Sequence, residues 1–156
     1  MKRCLLLCSC VTALTADLLH GAEPMPQIRA FAGTGQPGHS GDGGPAARAQ
    51  LNNPYGLARG PDGAFYICDM DNHVLRRVAR DGTISTVAGS GRRGYSGDGG
   101  QALQAELNEP YEIRFDKAGN LFFVEMKNHL VRRVEARTQT ISTVAGNGQP
   151  DRKSVV

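Results

Sequence analysis

Near-identical blocks return along this chain at intervals of 56 or 57 residues. Residues 84–89, Ile-Ser-Thr-Val-Ala-Gly, recur unchanged at residues 141–146, and residues 28–33 are a looser copy. The Ser-Gly-Asp-Gly-Gly loop of residues 40–44 recurs at residues 96–100, an offset of 56 residues. A repeat of this length is typical of solenoids, propellers and other arrays, in which each small unit needs its neighbours to bury its faces. The fold must therefore be built from such units.

Each repeat contains four short segments rich in apolar and β-branched residues that alternate with turn signals, and glycine lies in the turns at residues 60–63, 80–82 and 117–120. This pattern predicts an antiparallel meander, because glycine supplies the positive φ that tight turns between strands require. The predicted strands are residues 55–59, 64–68, 73–79 and 83–88 in the first repeat and residues 111–115, 120–125, 129–135 and 140–145 in the second. Residues 121–124, Leu-Phe-Phe-Val, are apolar at successive positions, which indicates a sheet covered on both faces. A blade between two other blades of a propeller has this environment.

The sequence also resembles a known family. Residues 69–78, Asp-Met-Asp-Asn-His-Val-Leu-Arg-Arg-Val, look like the NHL repeat, and the second copy contains Asn128-His129-Leu130. The glycine-rich connector and the Leu-Asn-Asn-Pro run at residues 51–54 resemble the bacterial secreted branch of that family, close to the NHL domain of teneurins. The resemblance implies a six-bladed β-propeller related to the gluconolactonase-like propellers. The predicted fold is all-β, with about two four-stranded blades and one leading strand, at residues 51–89, 107–146 and 28–33.

The two ends of the chain lie outside the repeat. Residues 1–22 begin with Met1-Lys2-Arg3 and continue with an apolar run too short to cross a bilayer as a helix, so they predict a secretory signal peptide and no membrane span. We therefore expect a secreted or periplasmic protein whose mature part, residues 23–150, keeps Cys68 alone as a small buried side chain. Residues 151–156 match neither repeat and are interpreted as a non-native tail.

Two blades fall short of the four to eight that close a propeller. The chain is therefore predicted to be a fragment of a longer propeller, in which residues 28–33 would complete the last blade. Uncovered faces and edges favour self-association, and three copies could close a ring because each supplies two blades.

Charge argues against a nucleic-acid partner. The formal net charge is +3, and the two terminal segments contribute +2 of it, so the repeats are nearly neutral. Proteins that bind nucleic acid usually carry a basic field. An RNA-binding NHL domain is therefore kept only as a second alternative.

The two glycine-rich loops each contain one acidic residue, Asp42 and Asp98. These carboxylates are weak candidates for a metal site, since one per loop falls short of the oxygen ligands that Ca²⁺ requires. The simpler interpretation is a loop that turns through positive φ and caps the short alanine-rich helix predicted after it, at residues 45–51 and 101–107.

Asn, His and Arg recur at matching positions, and repetition favours a structural role, because a catalytic group is needed once whereas a structural contact recurs in every unit. The asparagines and histidines are expected to close a turn and to form local hydrogen bonds. The arginines are expected to lay their stems over apolar surface with the guanidinium groups in solvent. The residues of this motif are Asn72, His73, Arg76, Asn128, His129 and Arg132.

Positions that differ between the repeats carry more functional information. Gly56 is replaced by Glu112, which is placed on the first strand of its blade, where a propeller lines its central channel. Together with Tyr55 and Tyr111, Glu112 is a candidate ligand contact. The resemblance to the gluconolactonase-like propellers implies a divalent metal at the mouth of the channel. Glu112 is the one residue of this sequence that matches a ligand expected there.

The preferred function is a non-catalytic binding scaffold for a protein or carbohydrate partner, with no cofactor. The alternative is a metal-dependent lactonase or hydrolase, in which Glu112 would hold a divalent cation. In the scaffold interpretation, Glu112 is solvated or paired with Arg114 or Lys127.

Overall fold

The computed structural model describes residues 27–150, and the predicted signal peptide and tail lie outside them. The chain forms two four-stranded antiparallel sheets, each ordered sequentially, which confirms the all-β prediction of two blades. The strands are β1 (Pro54–Arg59), β2 (Phe65–Asp69), β3 (Val74–Val78), β4 (Ile84–Ala88), β5 (Pro110–Phe115), β6 (Leu121–Glu125), β7 (Leu130–Val134) and β8 (Ile141–Ala145). Within residues 27–150, no helix is both long and apolar enough to cross a membrane.

The two blades share one backbone design, which follows from the sequence repeat. β2 pairs with β3 without interruption, and β6 pairs with β7 in the same register. The register shifts once between β1 and β2 after Pro54, and the same shift occurs after Pro110 in the second blade. These shifts are local irregularities of the kind that bulges introduce into antiparallel pairs, and their repetition identifies them as part of the blade.

The main hydrophobic core lies at the joint between the blades. Blade 1 contributes Cys68, Leu75 and Ala88, while blade 2 and the connector before it contribute larger groups such as Ile113 and Phe123. A second cluster lies on the other side of blade 1 and includes Ala46, Ala49, Leu51, Ile67, Val78 and Ile84. Because both faces of β2 and β3 contact apolar side chains, these strands carry apolar residues at successive positions.

Three sequence expectations need adjustment. Residues 28–33 do not form a strand, because residues 27–150 supply no strand beside them with which to pair. The predicted short helices are single 3₁₀ turns at Ala46–Arg48 and Ala102–Gln104, and Pro45 precedes the first of them instead of occupying its first position. A further 3₁₀ turn at Met70–Asn72, which the sequence did not suggest, connects β2 to β3.

Candidate binding surface

Each blade contains a buried arginine that links two of its strands to its glycine-rich loop. In blade 1, the guanidinium of Arg76 is fully buried, with Nη2 2.7 Å from Asp42 Oδ1 and Nη1 3.2 Å from Asp69 Oδ2. Nη2 also donates to the carbonyl oxygen of Ser40 at 3.0 Å. Arg76 therefore ties β3 to the end of β2 and to the glycine-rich loop. We call this group the arginine cluster.

Blade 2 repeats the cluster with a longer acid. Arg132 Nη2 lies 2.7 Å from Asp98 Oδ1, and Nη1 lies 2.7 Å from Glu125 Oε1. The second oxygen of Glu125 accepts from the backbone N–H of Asn108 at 3.0 Å, as Asp69 accepts from Asn52 at 2.7 Å. A buried charge needs a paired opposite charge, and both arginines have two carboxylate partners each. Within residues 27–150, the Nε atoms of Arg76 and Arg132 are nevertheless buried without a hydrogen-bond partner.

Two sequence expectations about these residues are wrong. The guanidinium groups of Arg76 and Arg132 are not in solvent, because the carboxylates at the ends of β2 and β6 lie buried beside them. Asp42 and Asp98 do not cap the 3₁₀ turns, which have no side-chain cap. Their carboxylates instead bind the arginines and accept from backbone N–H groups of β4 and β8. The sequence signal that could have revealed this is the recurrence of Arg together with an acid seven residues before it.

The electrostatics of the first loop follow from these contacts. Partial burial acts to raise the pKa of Asp42, but the hydrogen bonds from Thr86 and the charge of Arg76 outweigh it, so the pKa lies below its usual value. Asp42 Oδ2 accepts from the Thr86 backbone N–H at 2.9 Å, and Asp98 Oδ2 accepts from Thr143 at 3.0 Å. Within residues 27–150, no group of three or more His, Cys, Asp or Glu side chains could hold a metal ion.

The Asn-His pair serves the turn and the neighbouring blade. Asn72 Nδ2 donates to the carbonyl of Gly38 at 2.7 Å and to Asp69 Oδ2 at 2.9 Å. His73 adopts a positive φ of 56° and ends the turn, while its Nδ1 accepts from the backbone N–H of Glu109 at 3.3 Å. The local hydrogen bonds therefore come from the asparagine, whereas the histidine ring reaches the next blade. Burial, with the charge of Arg93, lowers the pKa of His73.

The tyrosines of the innermost strands lie together. The rings of Tyr55 and Tyr111 stack with centroids 4.1 Å apart and an interplanar angle of 27°. Tyr55 remains 56% exposed, so the pair forms part of the surface. Gly56 makes this approach feasible, because a Cβ at that position would collide with the carbonyl oxygen of Tyr111. The Tyr55 hydroxyl beside it raises the pKa of Tyr111.

Glu112 follows the tyrosine on β5 and forms an ion pair with Arg114. Of the two pairing partners expected from the sequence, the structure therefore has Arg114, whereas Lys127 Nζ lies 4.0 Å from Glu109 Oε2. Arg114 Nη1 also donates to the carbonyl oxygen of Ile113 at 2.7 Å. The result is a stacked aromatic pair, of which Tyr55 is exposed and Tyr111 half-buried, beside a solvent-accessible carboxylate and guanidinium. We call Tyr55, Tyr111, Glu112 and Arg114 the tyrosine patch.

A separate cleft of about 410 Å³ opens between the blades near the turn after β1 and the turn after β5. Its lining includes Tyr66, Arg77, Phe115 and Lys117. Arg77 is already engaged there, with Nη2 2.6 Å from Asp62 Oδ2. Because Tyr55 and Tyr111 lie near the starts of the same innermost strands, the cleft and the tyrosine patch are at opposite ends of them.

Comparisons with known proteins agree with this architecture. A family model described as the Teneurin NHL domain matches residues 17–95. NHL repeat-containing protein 2 of Bos taurus is 28% identical over 76% of this chain and 18% of its own length, and Teneurin-3 of Danio rerio is 31% identical over 85% of this chain and 5% of its own length. A solved auxiliary nutrient binding protein from Bacteroides ovatus is 26% identical, with a TM-score of 0.50 over 69% of this chain and 27% of that one. The chain thus spans a small part of each of these three proteins.

Proposed function

Because the chain belongs to the NHL-repeat propeller family that includes the teneurin NHL domain, we propose that it is a non-catalytic binding scaffold whose tyrosine patch contacts a protein or carbohydrate partner. The observation that carries the proposal is the stacked pair of the exposed Tyr55 and the half-buried Tyr111 on the innermost strands. Exposed aromatic side chains that are held rigidly bind with little loss of conformational entropy. The pair is therefore preorganised for recognition.

The chemistry of the patch favours a carbohydrate over a protein. Tyrosine rings offer apolar faces to the C–H surfaces of a sugar and hydroxyls to its polar groups. Glu112 and Arg114 add an acceptor and a planar donor fork within the same patch, and both remain accessible to solvent. Since the two charges compensate one another, a neutral sugar fits the patch better than a strongly charged ligand. The similar Bacteroides ovatus structure is an auxiliary nutrient binding protein, which supports a binding role for this chain.

The test is a glycan-array screen of the full chain, followed by calorimetry with each sugar that binds. Tyr55→Ala and Tyr111→Ala should each weaken binding at least about tenfold, because truncation of an aromatic hot-spot residue costs about 2 kcal/mol or more and about 1.4 kcal/mol corresponds to tenfold. Leu103→Ala is the matched control, since Leu103 is an exposed apolar residue on the 3₁₀ turn Ala102–Gln104. Unchanged sugar affinity in both tyrosine variants would disprove the role of the patch. If a protein binds through the tyrosines and no glycan binds, the chain is a binding scaffold whose ligand is a protein and not a carbohydrate.

The same preparation tests the alternatives. Binding of Ca²⁺ or Zn²⁺ by calorimetry that Glu112→Gln abolishes would support the metal-dependent hydrolase. RNA binding whose affinity falls steeply with salt would support the nucleic-acid alternative. We further propose a secreted or periplasmic location, supported by the signal-like pattern of residues 1–22, and N-terminal sequencing of the exported protein tests it.

A further inference from the structure

The cleft between the two blades is a second concave surface, and the tyrosine patch does not include it. Its volume of about 410 Å³ lies within the range of about 300–1,000 Å³ that is usual for small-molecule sites. All of its lining residues lie between residues 61 and 139, and both walls belong to the joint between the blades. We call it the interblade cleft, and its lining includes Asp62, Tyr66 and Arg77 of blade 1 and Phe115, Lys117 and Ala118 of blade 2.

The buried part of the cleft is apolar. Leu121 and Val134 line it from blade 2 and belong to the same core cluster as Ala88 of blade 1. The rings of Tyr66 and Phe115 meet edge to face, with centroids 4.8 Å apart and an interplanar angle of 69°. Both rings are half-buried and pack against this cluster. The cleft therefore offers aromatic and aliphatic carbon to an apolar ligand group.

A fixed polar group lies beside the aromatic pair. Asp62 Oδ2 accepts from Arg77 Nε at 2.8 Å and from the Tyr66 hydroxyl at 3.3 Å. Asp62 Oδ1 accepts from the backbone N–H of Ala64 at 3.1 Å, which holds the carboxylate on its own turn. Partial burial acts to raise the pKa of Asp62, but the hydrogen bonds from Arg77 and Ala64 outweigh it, so the pKa lies below its usual value. Asp62 is therefore ionised at neutral pH, and Arg77 compensates its charge.

Lys117 leaves the cleft with a surplus positive charge. Its side chain lines the cleft and is exposed, and within residues 27–150 it forms no ion pair. One carboxylate, Asp62, and two cations, Arg77 and Lys117, give the lining a net charge of +1. Arg77 contacts Asp62 through Nε and Nη2, so the N–H groups of Nη1 remain to bind a ligand oxygen. The polar part of the cleft thus suits an anion.

The residues that give the cleft this chemistry occupy positions at which the two repeats differ. The differing pairs are Asp62 and Ala118, Tyr66 and Phe122, Arg59 and Phe115, and Pro61 and Lys117. A contact that served only the fold of a blade would recur in both repeats. The combination of an aromatic pair with an unpaired lysine is therefore particular to this joint.

We propose that the interblade cleft binds a small aromatic carboxylate, with its ring against Tyr66 and Phe115 and its carboxylate toward Lys117 and Nη1 of Arg77. A single negative charge matches the surplus charge of the lining, whereas a phosphate group carries about 1.5 to 2 negative charges at pH 7. An aromatic ring can pack edge to face or offset against the two rings already there. The site is separate from the tyrosine patch, which lies at the other end of the innermost strands.

The first experiment compares three probes on the full chain by calorimetry: naphthylacetate, naphthylacetamide and acetate. The amide keeps the size and the ring of naphthylacetate but has no charge, and acetate keeps the charge but has no ring. Naphthylacetate should bind at least about tenfold more tightly than either, because only it uses both the apolar and the charged part of the cleft. Equal affinity for the acid and the amide, or no binding of the acid, would overturn the proposal. This comparison uses the wild-type chain alone.

A second experiment locates the bound ligand. Ala118 is an exposed lining residue on the turn between β5 and β6, so Ala118→Trp should fill the cleft without disturbing the core. Naphthylacetate binding should weaken at least about tenfold, because the indole takes the volume that the ligand ring needs. Leu103→Trp is the matched control, since it adds the same side chain at an exposed position outside the cleft. Unchanged binding in Ala118→Trp would show that the cleft is not the site.

A third experiment tests the orientation of the carboxylate. Lys117→Gln should weaken naphthylacetate binding about threefold, the effect expected of one solvent-accessible ion pair. Lys127→Gln is the control, because it removes the same charge outside the cleft. An equal effect of the two variants would overturn the role of Lys117. Circular dichroism establishes that each variant is folded, and glycan binding by Ala118→Trp should match wild type, which keeps this test separate from that of the tyrosine patch.

Discussion

The two blades have nearly the same sequence at their core positions, yet they bury different residues. Ile113 on β5 is fully buried, whereas Leu57 at the equivalent position on β1 is 57% exposed. The relation reverses on the other face, where Cys68 is buried and its counterpart Val124 is open. The difference shows that burial in a repeat is set by the neighbour a blade has and not by the residue it carries. The arginine clusters are the exception, because their partners lie in the same blade and its own loop.

The largest effect should come from breaking an arginine cluster. Arg76→Leu or Arg132→Leu leaves Asp69 or Glu125 buried without its cation, which commonly costs about 3–5 kcal/mol of unfolding free energy. Because the clusters are independent of the joint, the two losses should be similar in size. Urea unfolding monitored by circular dichroism measures them. Arg92→Leu, which removes an exposed guanidinium paired with Glu106, is the control and should change stability by less than about 0.5 kcal/mol.

The second prediction compares the loss of stability at Ile113 and Leu57, which occupy equivalent positions in the two blades. Ile113→Ala should cost about 2–5 kcal/mol, since it opens a cavity in the joint. Leu57→Ala should cost less than about 0.5 kcal/mol at concentrations where the chain is monomeric, because the side chain is already in solvent. Equal losses in the two variants would mean that the Leu57 side chain is covered in solution, and the comparison of the blades would fail.

The third prediction concerns pH and the first glycine-rich loop. The pKa of Asp42 is lower in the folded chain than its ordinary value of 3.8, so this carboxylate stabilises the fold above that pH and ceases to do so as the pH falls below it. Asp42→Asn should therefore lower the urea midpoint at pH 7 by more than at pH 3. A loss of the same size at both pH values would indicate that the carboxylate charge does not matter to Arg76.

The fourth prediction concerns the accessibility of two equivalent positions, residues 68 and 124, and has the smallest expected effect on stability. Burial, with the charge of Glu112, raises the pKa of the Cys68 thiol to about 12, so the folded chain should not react with a disulfide reagent at this residue. Val124→Cys places a thiol at the matching position of blade 2, where it should react readily, in a background with Cys4, Cys8 and Cys10 replaced by serine. Comparable reaction rates at the two positions would contradict the difference in burial.

The strands could be predicted because each one depends on local pattern. Apolar runs between turn signals predicted β1 to β8 to within a residue or two of their ends. The buried role of Cys68 also followed from sequence, since the next repeat has valine there. The prediction failed for residues 28–33, which have the composition of a strand but need a partner strand that residues 27–150 do not supply. It also failed for Arg76 and Arg132, because burial of a guanidinium depends on carboxylates brought together from distant parts of the chain.

The sequence by itself determined the repeat, the four strands of each blade and the turns between them, because these depend on hydrophobic pattern and on residues close along the chain. Only the tertiary structure decided which side chains meet across long separations. Arg76 binds Asp42, and Tyr55 stacks on Tyr111, through contacts between segments far apart in sequence. Tyr55 and Tyr111 meet only after the two blades have packed, whereas Arg76 and Asp42 meet once blade 1 has closed on its own glycine-rich loop. The tyrosine patch is thus a product of the joint between the blades, and each arginine cluster is a product of the folding of one blade.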